Sequence, residues 1–396
     1  MTREKNLRAI TGTALALATL FTRLPFRART FFEFDSINFA VATFRFDLGQ
    51  VTPQMPGYIL HVLLGRLLYW VTGDLNLAYI WVSILLSIGA VLFLWRAAAV
   101  LRGERVAIIA ALLWITTPLF WFHGAVNAIY AEEAFITSLL LYLGFRAMKS
   151  NDEGIRIGSP RRLSFLFRYA SCSFFAYFIA LSLSGAARPT SLLFFLPATV
   201  FVFCQRKPSR RLTIATLTIF LIVTVMWIAE LLREAGGLTT YWSYLLTENN
   251  FKTQSIIFGN TWHSQLDTIE KVAFYLPIAF GASTIAMVVL LICFPRRVIS
   301  FIRQHAWRSE AKFVALVAIP PLVFYAFIFF MKAGYLLNVV PCAILLIAAL
   351  LDQSAIWIAE RTKQKPKNKQ KLTRPIITRN AIVLTSAVVI LNALWF

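Results

Sequence analysis

Charge is scarce in this sequence. Only 14% of its 396 residues are charged, against 59% hydrophobic. A soluble chain so composed would expose apolar patches far beyond what soluble monomers carry. The apolar segments also lack the period-two alternation of a membrane barrel, which leaves helices in lipid. Acidic residues are scarcer still, 18 Asp and Glu against 39 Lys and Arg. That excess raises nucleic acid as a partner, but the basic residues fall in short turns between apolar segments, as cytoplasmic loops do. No nucleic-acid partner is expected, and membrane lipids are. The four cysteines, Cys172, Cys204, Cys293 and Cys342, lie in or beside apolar segments without a CxxC pair. They read as small buried hydrophobes, with neither a disulfide frame nor a zinc site. The chain has no Walker motif, Rossmann fingerprint or nucleophile elbow.

Apolar runs of about 20 residues dominate what remains. Hydropathy and charge predict eleven transmembrane helices near 7–24, 77–98, 105–123, 128–147, 167–185, 190–205, 211–232, 271–294, 312–331, 334–352 and 380–396. The first could belong to a signal peptide, since Met1–Arg8 is basic and Ala9–Phe21 apolar. No cleavage site follows Phe21, so a retained helix is expected. With the N-terminus cytoplasmic, the turns Arg96–Arg105, Arg146–Arg168, Arg206–Arg211, Arg296–Lys312 and Arg361–Arg379 fall inside, and every one is basic. The C-terminus then lies outside, in a single all-α polytopic domain spanning 1–396.

Two outer loops are long, 23–76 and 233–270, and both are rich in aromatics. In the first, Asp35, Asn38, Ala42 and Arg45 recur at helical spacing and would share one face. The stretch Gly49–Gly57 must turn, and Tyr58–Val71, too short to span, reads as a helix in the membrane interface. A second polar stripe, Asn127, Tyr130, Glu133 and Thr137 with Glu132 beside it, opens the fourth predicted span. Carboxylates there must face protein or a wet cavity. In the second loop, Tyr241, Trp242, Tyr244, Phe251 and Trp262 suit a lid or an acceptor-recognition element.

Several segments resemble the GT-C superfamily of polyprenyl-phosphate-dependent glycosyltransferases. They are Phe34–Ala40, Met55–Tyr58, Pro118–Gly124, Tyr130–Phe135, Gly185–Pro189 and Gly334–Leu337. The likeness is to the protein O-mannosyltransferase and aminoarabinose-transferase branch, glycosyltransferase family 39. It implies a GT-C-like bundle with a long first extracytoplasmic loop carrying interfacial helices. Two positions depart from the pattern. Gln54-Met55-Pro56 stands where relatives carry His-Pro-Pro, and Ala125 stands where close relatives carry a carboxylate.

The resemblance implies transfer of a sugar from a polyprenyl-phosphate donor to a protein, lipid or glycan acceptor, at the periplasmic face of a bacterial inner membrane. Asp35 is the implied general base, and single displacement would invert the anomeric carbon. A helix N-cap is the plainer role for Asp35. Arg188 and Lys332, then Arg45 and Arg66, are candidates for the donor phosphate, with interfacial snorkelling as their alternative. Glu133, Glu132 and Tyr130 are candidates for acceptor or metal, and Asn38, Tyr58, His61, His123 and Tyr335 for the substrate cavity. No cofactor is fixed by the sequence, and His61, His123 and His263 with nearby carboxylates admit a divalent cation. Glu33 and Asp47 are expected to be solvated. The competing functions are a non-catalytic GT-C-like protein and a transporter or flippase of lipid-linked sugars.

Overall fold

The computed structural model describes residues 2–156, 160–247, 255–306, 308–363 and 374–394. Phe251 and most of the basic run after Arg361 lie outside the described residues. Among these residues no strand forms, and a single bridge pairs Asp47 with Thr52.

Helix α1 (Thr2–Arg23) leads into a first loop that carries two short helices, α2 (Phe34–Ala42) and α3 (Ile59–Thr72). Gly73 ends α3 at φ 67°, a left-handed conformation that glycine adopts without strain. Asp74 then starts α4 (Leu75–Arg102), its carboxylate accepting from the Leu77 N–H at 2.7 Å. Helix α5 (Glu104–Thr116) stops before Pro118, which opens the short α6 (Pro118–His123). Thr117 is extended there, because a residue preceding proline is driven out of helical geometry. Next come α7 (Tyr130–Arg156), α8 (Pro160–Ala187), α9 (Pro189–Arg206) and α10 (Arg210–Glu234). The second loop holds α11 (Leu238–Thr247). The chain finishes with α12 (Trp262–Phe280), α13 (Ala282–Cys293), α14 (Pro295–Ala306), α15 (Ser309–Phe327), α16 (Val340–Lys363) and α17 (Arg374–Ala393).

The core lies between α4, α7 and their neighbours. Phe93 meets Phe135 edge-on at 5.6 Å, and Trp114 stacks on Phe120 at 3.8 Å. The outward faces are as apolar as the core. On α10, Leu217, Leu221, Val225 and Met226 are all exposed, the surface a hydrocarbon solvent covers.

Each predicted span is helical in the structure, but the count of eleven is not reached by uniform helices. Six described helices are long and apolar enough to cross a membrane, or seven if one bent pair counts as a single span. The segment 271–294 is that pair: α12 and α13 meet at 93°, at Gly281, whose φ 55° and ψ −132° suit glycine alone. The segment 105–123 is divided at Pro118. The one at 334–352 begins as a 3-10 turn, Ala333–Asn338, and becomes helical at Val340. The segment 296–312, expected as an inner turn, is largely the helix α14, and the loop expected over 233–270 is shorter because α12 starts at Trp262. The cysteines are free, as expected, but only Cys342 is buried; Cys172, Cys204 and Cys293 face outward.

Close packing of α7 on α15 depends on Gly144, where an added Cβ would lie 2.3 Å from the ring of fully buried Phe313. Gly144→Ala should therefore destabilise the protein, since overpacking costs about 1–3 kcal/mol against a helix-propensity gain of at most about 1 kcal/mol. Thermal unfolding in detergent measures this. An unchanged or higher midpoint would mean that Phe313 yields freely.

Candidate active site

The first turn of α7 carries Tyr130, Glu132 and Glu133, all buried. A carboxylate in such a place needs a partner, and Arg188 supplies it from the turn between α8 and α9. The Arg188 Nη1 lies 2.7 Å from Oε1 of Glu133, with side-chain exposures of 7% and 3%. The other Glu133 oxygen accepts from Nδ2 of Asn338 at 3.0 Å, and that amide also donates to the Tyr325 hydroxyl at 2.8 Å. Thr137, one turn along α7, donates to the side-chain Oδ1 of Asn338 at 3.4 Å.

Aromatic rings box the guanidinium. Its carbon lies 4.5 Å from the ring centre of Tyr335 and 5.5 Å from that of Tyr58. Nε and Nη2 of Arg188 are buried with no acceptor in hydrogen-bond geometry. Unmatched donors on a buried cation suit an anionic ligand.

Asp35 stands in the first turn of α2. It is not the cap: Glu33 occupies the N-cap position, without a capping hydrogen bond from its side chain. Both carboxylates turn instead to Lys332, which bonds Asp35 directly and Glu33 at 2.8 Å. Burial pulls the Lys332 ammonium down, but these two carboxylates outweigh it and hold the group above its ordinary value. Lys332 is therefore charged at neutral pH. It stands three residues before Tyr335, so one turn presents both the ammonium and an aromatic wall.

The remaining candidates divide. Tyr130 meets Tyr335 at 5.5 Å and His123 at 4.6 Å, and Gly334 admits this approach, since a Cβ there would lie 2.4 Å from the Tyr130 ring. Buried His61 faces buried Glu132 at 3.3 Å, between Phe39 and Tyr79. Asn38 is buried with its Nδ2 unpartnered. Arg45 is exposed and pairs with Asp47 at 3.1 Å, beyond the end of α2, so the expected stripe from Asp35 stops at Ala42. Arg66 is a structural clamp. It grips both oxygens of Glu234, at 2.8 and 2.9 Å, and caps the Ala42 and Thr43 carbonyls, which leaves it little for a phosphate.

Among the described residues no group of three His, Cys, Asp or Glu is placed to hold a metal. The three-histidine arrangement does not form: His61 pairs with Glu132, His123 packs on Tyr130, and His263 is exposed on α12. Glu33 and Asp47, expected to be solvated, are both paired. Of the two departures, Ala125 is buried and accepts from the Ala28 N–H at 2.9 Å, while Gln54 belongs to the turn before α3. The Tyr241 hydroxyl donates to the Pro56 carbonyl at 3.3 Å, which lays α11 over that turn.

Sequence reasoning missed Asn338, Tyr325 and Glu33. The first two were detectable as polar side chains in apolar segments. Arg188→Met should destabilise the protein by about 3–5 kcal/mol, by leaving Glu133 buried and unpaired. Adding Glu133→Gln should recover most of that loss, because the stranded charge is then gone. A thermal-unfolding cycle over the two single variants and the double reads this directly; additive losses would mean that the pair is not coupled.

Comparison with known proteins bears on the fold. The family model of the protein O-mannosyl-transferase TMEM260 N-terminal domain matches residues 39–212. No curated protein matches the chain. Two crystal structures of ArnT from Cupriavidus metallidurans superpose at 13% identity. The form bound to undecaprenyl phosphate gives a TM-score of 0.58, over 98% of this chain and 70% of ArnT. The apo form gives 0.60, over 99% and 76%. A crystal structure of the Archaeoglobus fulgidus oligosaccharyltransferase, tethered with an acceptor peptide, gives 0.54 at 12% identity, over 98% of this chain and 55% of that one. The chain is thus a multi-pass membrane protein with the fold of the GT-C glycosyltransferases, and its residues 39–212 match the TMEM260 N-terminal domain.

Proposed function

We propose that the protein transfers a sugar from a polyprenyl-phosphate donor to an acceptor hydroxyl or amide at the extracytoplasmic face, with inversion. The observation that carries this reading is Arg188, a buried cation with two unmatched donors, one aromatic ring away from the turn that holds Lys332 to Asp35. That is a phosphate receptor beside a carboxylate. ArnT, which shares the fold, is known bound to undecaprenyl phosphate, and the oligosaccharyltransferase tethered with an acceptor peptide. The first supports a lipid-phosphate donor here, and the second a peptide among the acceptors.

The acceptor oxygen or nitrogen attacks the anomeric carbon as the carbon–oxygen bond to phosphate breaks. The electron pair leaves with the lipid phosphate, and the acceptor proton passes to the Asp35 carboxylate. The phosphate leaves as a stable anion and needs positive charge more than a proton, which Arg188 and Lys332 supply. Glu133 acts through Arg188 as a positioning residue. Lys332 has a second use. Before the donor binds it is shared by Asp35 and Glu33, and the donor phosphate competes for it. Binding then frees Asp35 to act as base when substrate is present.

Asp35→Asn should lower transfer by about 10²–10⁴-fold while donor binding persists. The assay follows release of radiolabelled sugar from a panel of polyprenyl-phosphate sugars, with membrane extract as acceptor. Equal transfer by both proteins would move the base elsewhere, and binding without transfer by the wild type would favour a non-catalytic relative.

A further inference from the structure

At the end of the bundle opposite Glu133 and Asp35, a cavity of about 500 Å³ opens between α14, α15, α16 and the end of α4. Its walls are apolar: Val314 and Ala318 from α15, and Cys342, Ala343 and Leu346 from α16. Its mouth is cationic, lined by Arg102, Arg308 and Lys312 with His305, against the single carboxylate of Glu310. Asp352, also near Arg102, is engaged by Arg105. Burial first, and then the charges of Arg102 and Arg308, hold His305 below its ordinary value, against the raising effect of its hydrogen bond with the Phe301 carbonyl. His305 is therefore neutral, and both arginines direct their field into the same space.

Helix α14 frames this mouth as an interfacial helix would. It buries Val298 and Phe301, exposes Ile299 and Ile302, and carries Arg296, Arg297 and Arg303. Phe301 in turn supports the Arg102 guanidinium, 5.2 Å from its ring centre.

We infer that this cavity is a binding site for an anionic glycerophospholipid of the inner leaflet, its phosphate between Arg102 and Arg308 and one acyl chain along α15 and α16. The dimensions favour that occupant. The lining runs from Val339, at the end of the 3-10 turn, along α16 to Ala349, about 15 Å, which is one leaflet of a hydrocarbon core about 30 Å thick. A polyprenyl chain is far longer than the groove, whereas an acyl chain ends where the groove does, beneath the 3-10 turn that carries Tyr335. The charge at the mouth selects an anionic head over a zwitterionic one.

The test is native mass spectrometry on the delipidated full chain, titrated with phosphatidylglycerol, phosphatidylcholine or undecaprenyl phosphate. One phosphatidylglycerol should bind in preference to phosphatidylcholine. The double variant Arg102→Gln/Arg308→Gln should weaken it about thirtyfold, the loss of two cations at a lipid headgroup. Ala343→Phe, which fills the groove and leaves the mouth intact, should abolish it. Circular dichroism confirms that each variant retains its helices. Equal binding of the two glycerophospholipids, or phosphatidylglycerol binding indifferent to both variants, would overturn the site. Stoichiometric displacement by undecaprenyl phosphate would overturn the glycerophospholipid as its occupant.

Discussion

A guanidinium and a carboxylate sealed from water, Arg188 with Glu133, fix the arrangement of the end of the bundle that carries the candidate site. Desolvating either alone is costly, so each must find the other before the helices that carry them can settle. Meeting that requirement sets the first turn of α7 against the N-terminus of α9. Asn338 then joins the same carboxylate and draws in the turn between α15 and α16. Tyr335 and Tyr58 close over the cation, and Tyr58 brings the start of α3 with it. Elements distant in sequence are thereby held around one buried charge.

The second ion cluster follows from the first. With the turn after α15 fixed by Asn338 and Tyr335, Lys332 has little freedom over where its ammonium goes. The first loop meets it with Glu33 and Asp35, at the N-terminus of α2 where negative charge is favoured. That loop is tied down independently. Ser36 and Asn127 exchange hydrogen bonds at 2.7 and 3.0 Å, and Arg66 caps the other end of α2 while gripping Glu234. The carboxylates are thus presented by a braced element, as chemistry at a fixed position requires.

Hydropathy and charge were enough to place the helical segments and the short helix α3, because a lipid solvent demands continuous apolar stretches and leaves basic residues at their ends. Breaks inside those stretches were harder to read. Gly281 and Pro118 are single residues in apolar runs, and neither changes a hydropathy average, yet each redirects the chain. The groups that the structure brings together here were legible as candidates by residue type, in Asp35, Glu133, Arg188 and Lys332. Pairing was not, since no local pattern says that Arg66 will spend its donors on Glu234 or that Lys332 will reach back to Glu33. Those are long-range choices made by packing, and one sequence carries no direct trace of them.

The corner at Gly281 bears on how the protein is made. The N–H of Ala282, just past the bend, has its acceptor in Asn392 at 2.7 Å, and Asn392 belongs to α17. While the chain is being synthesised, α12 and α13 reach the membrane before that acceptor exists. The bent pair is therefore completed only once α17 is in place, and a chain cut short of Asn392 would keep a buried backbone donor at that corner without its acceptor.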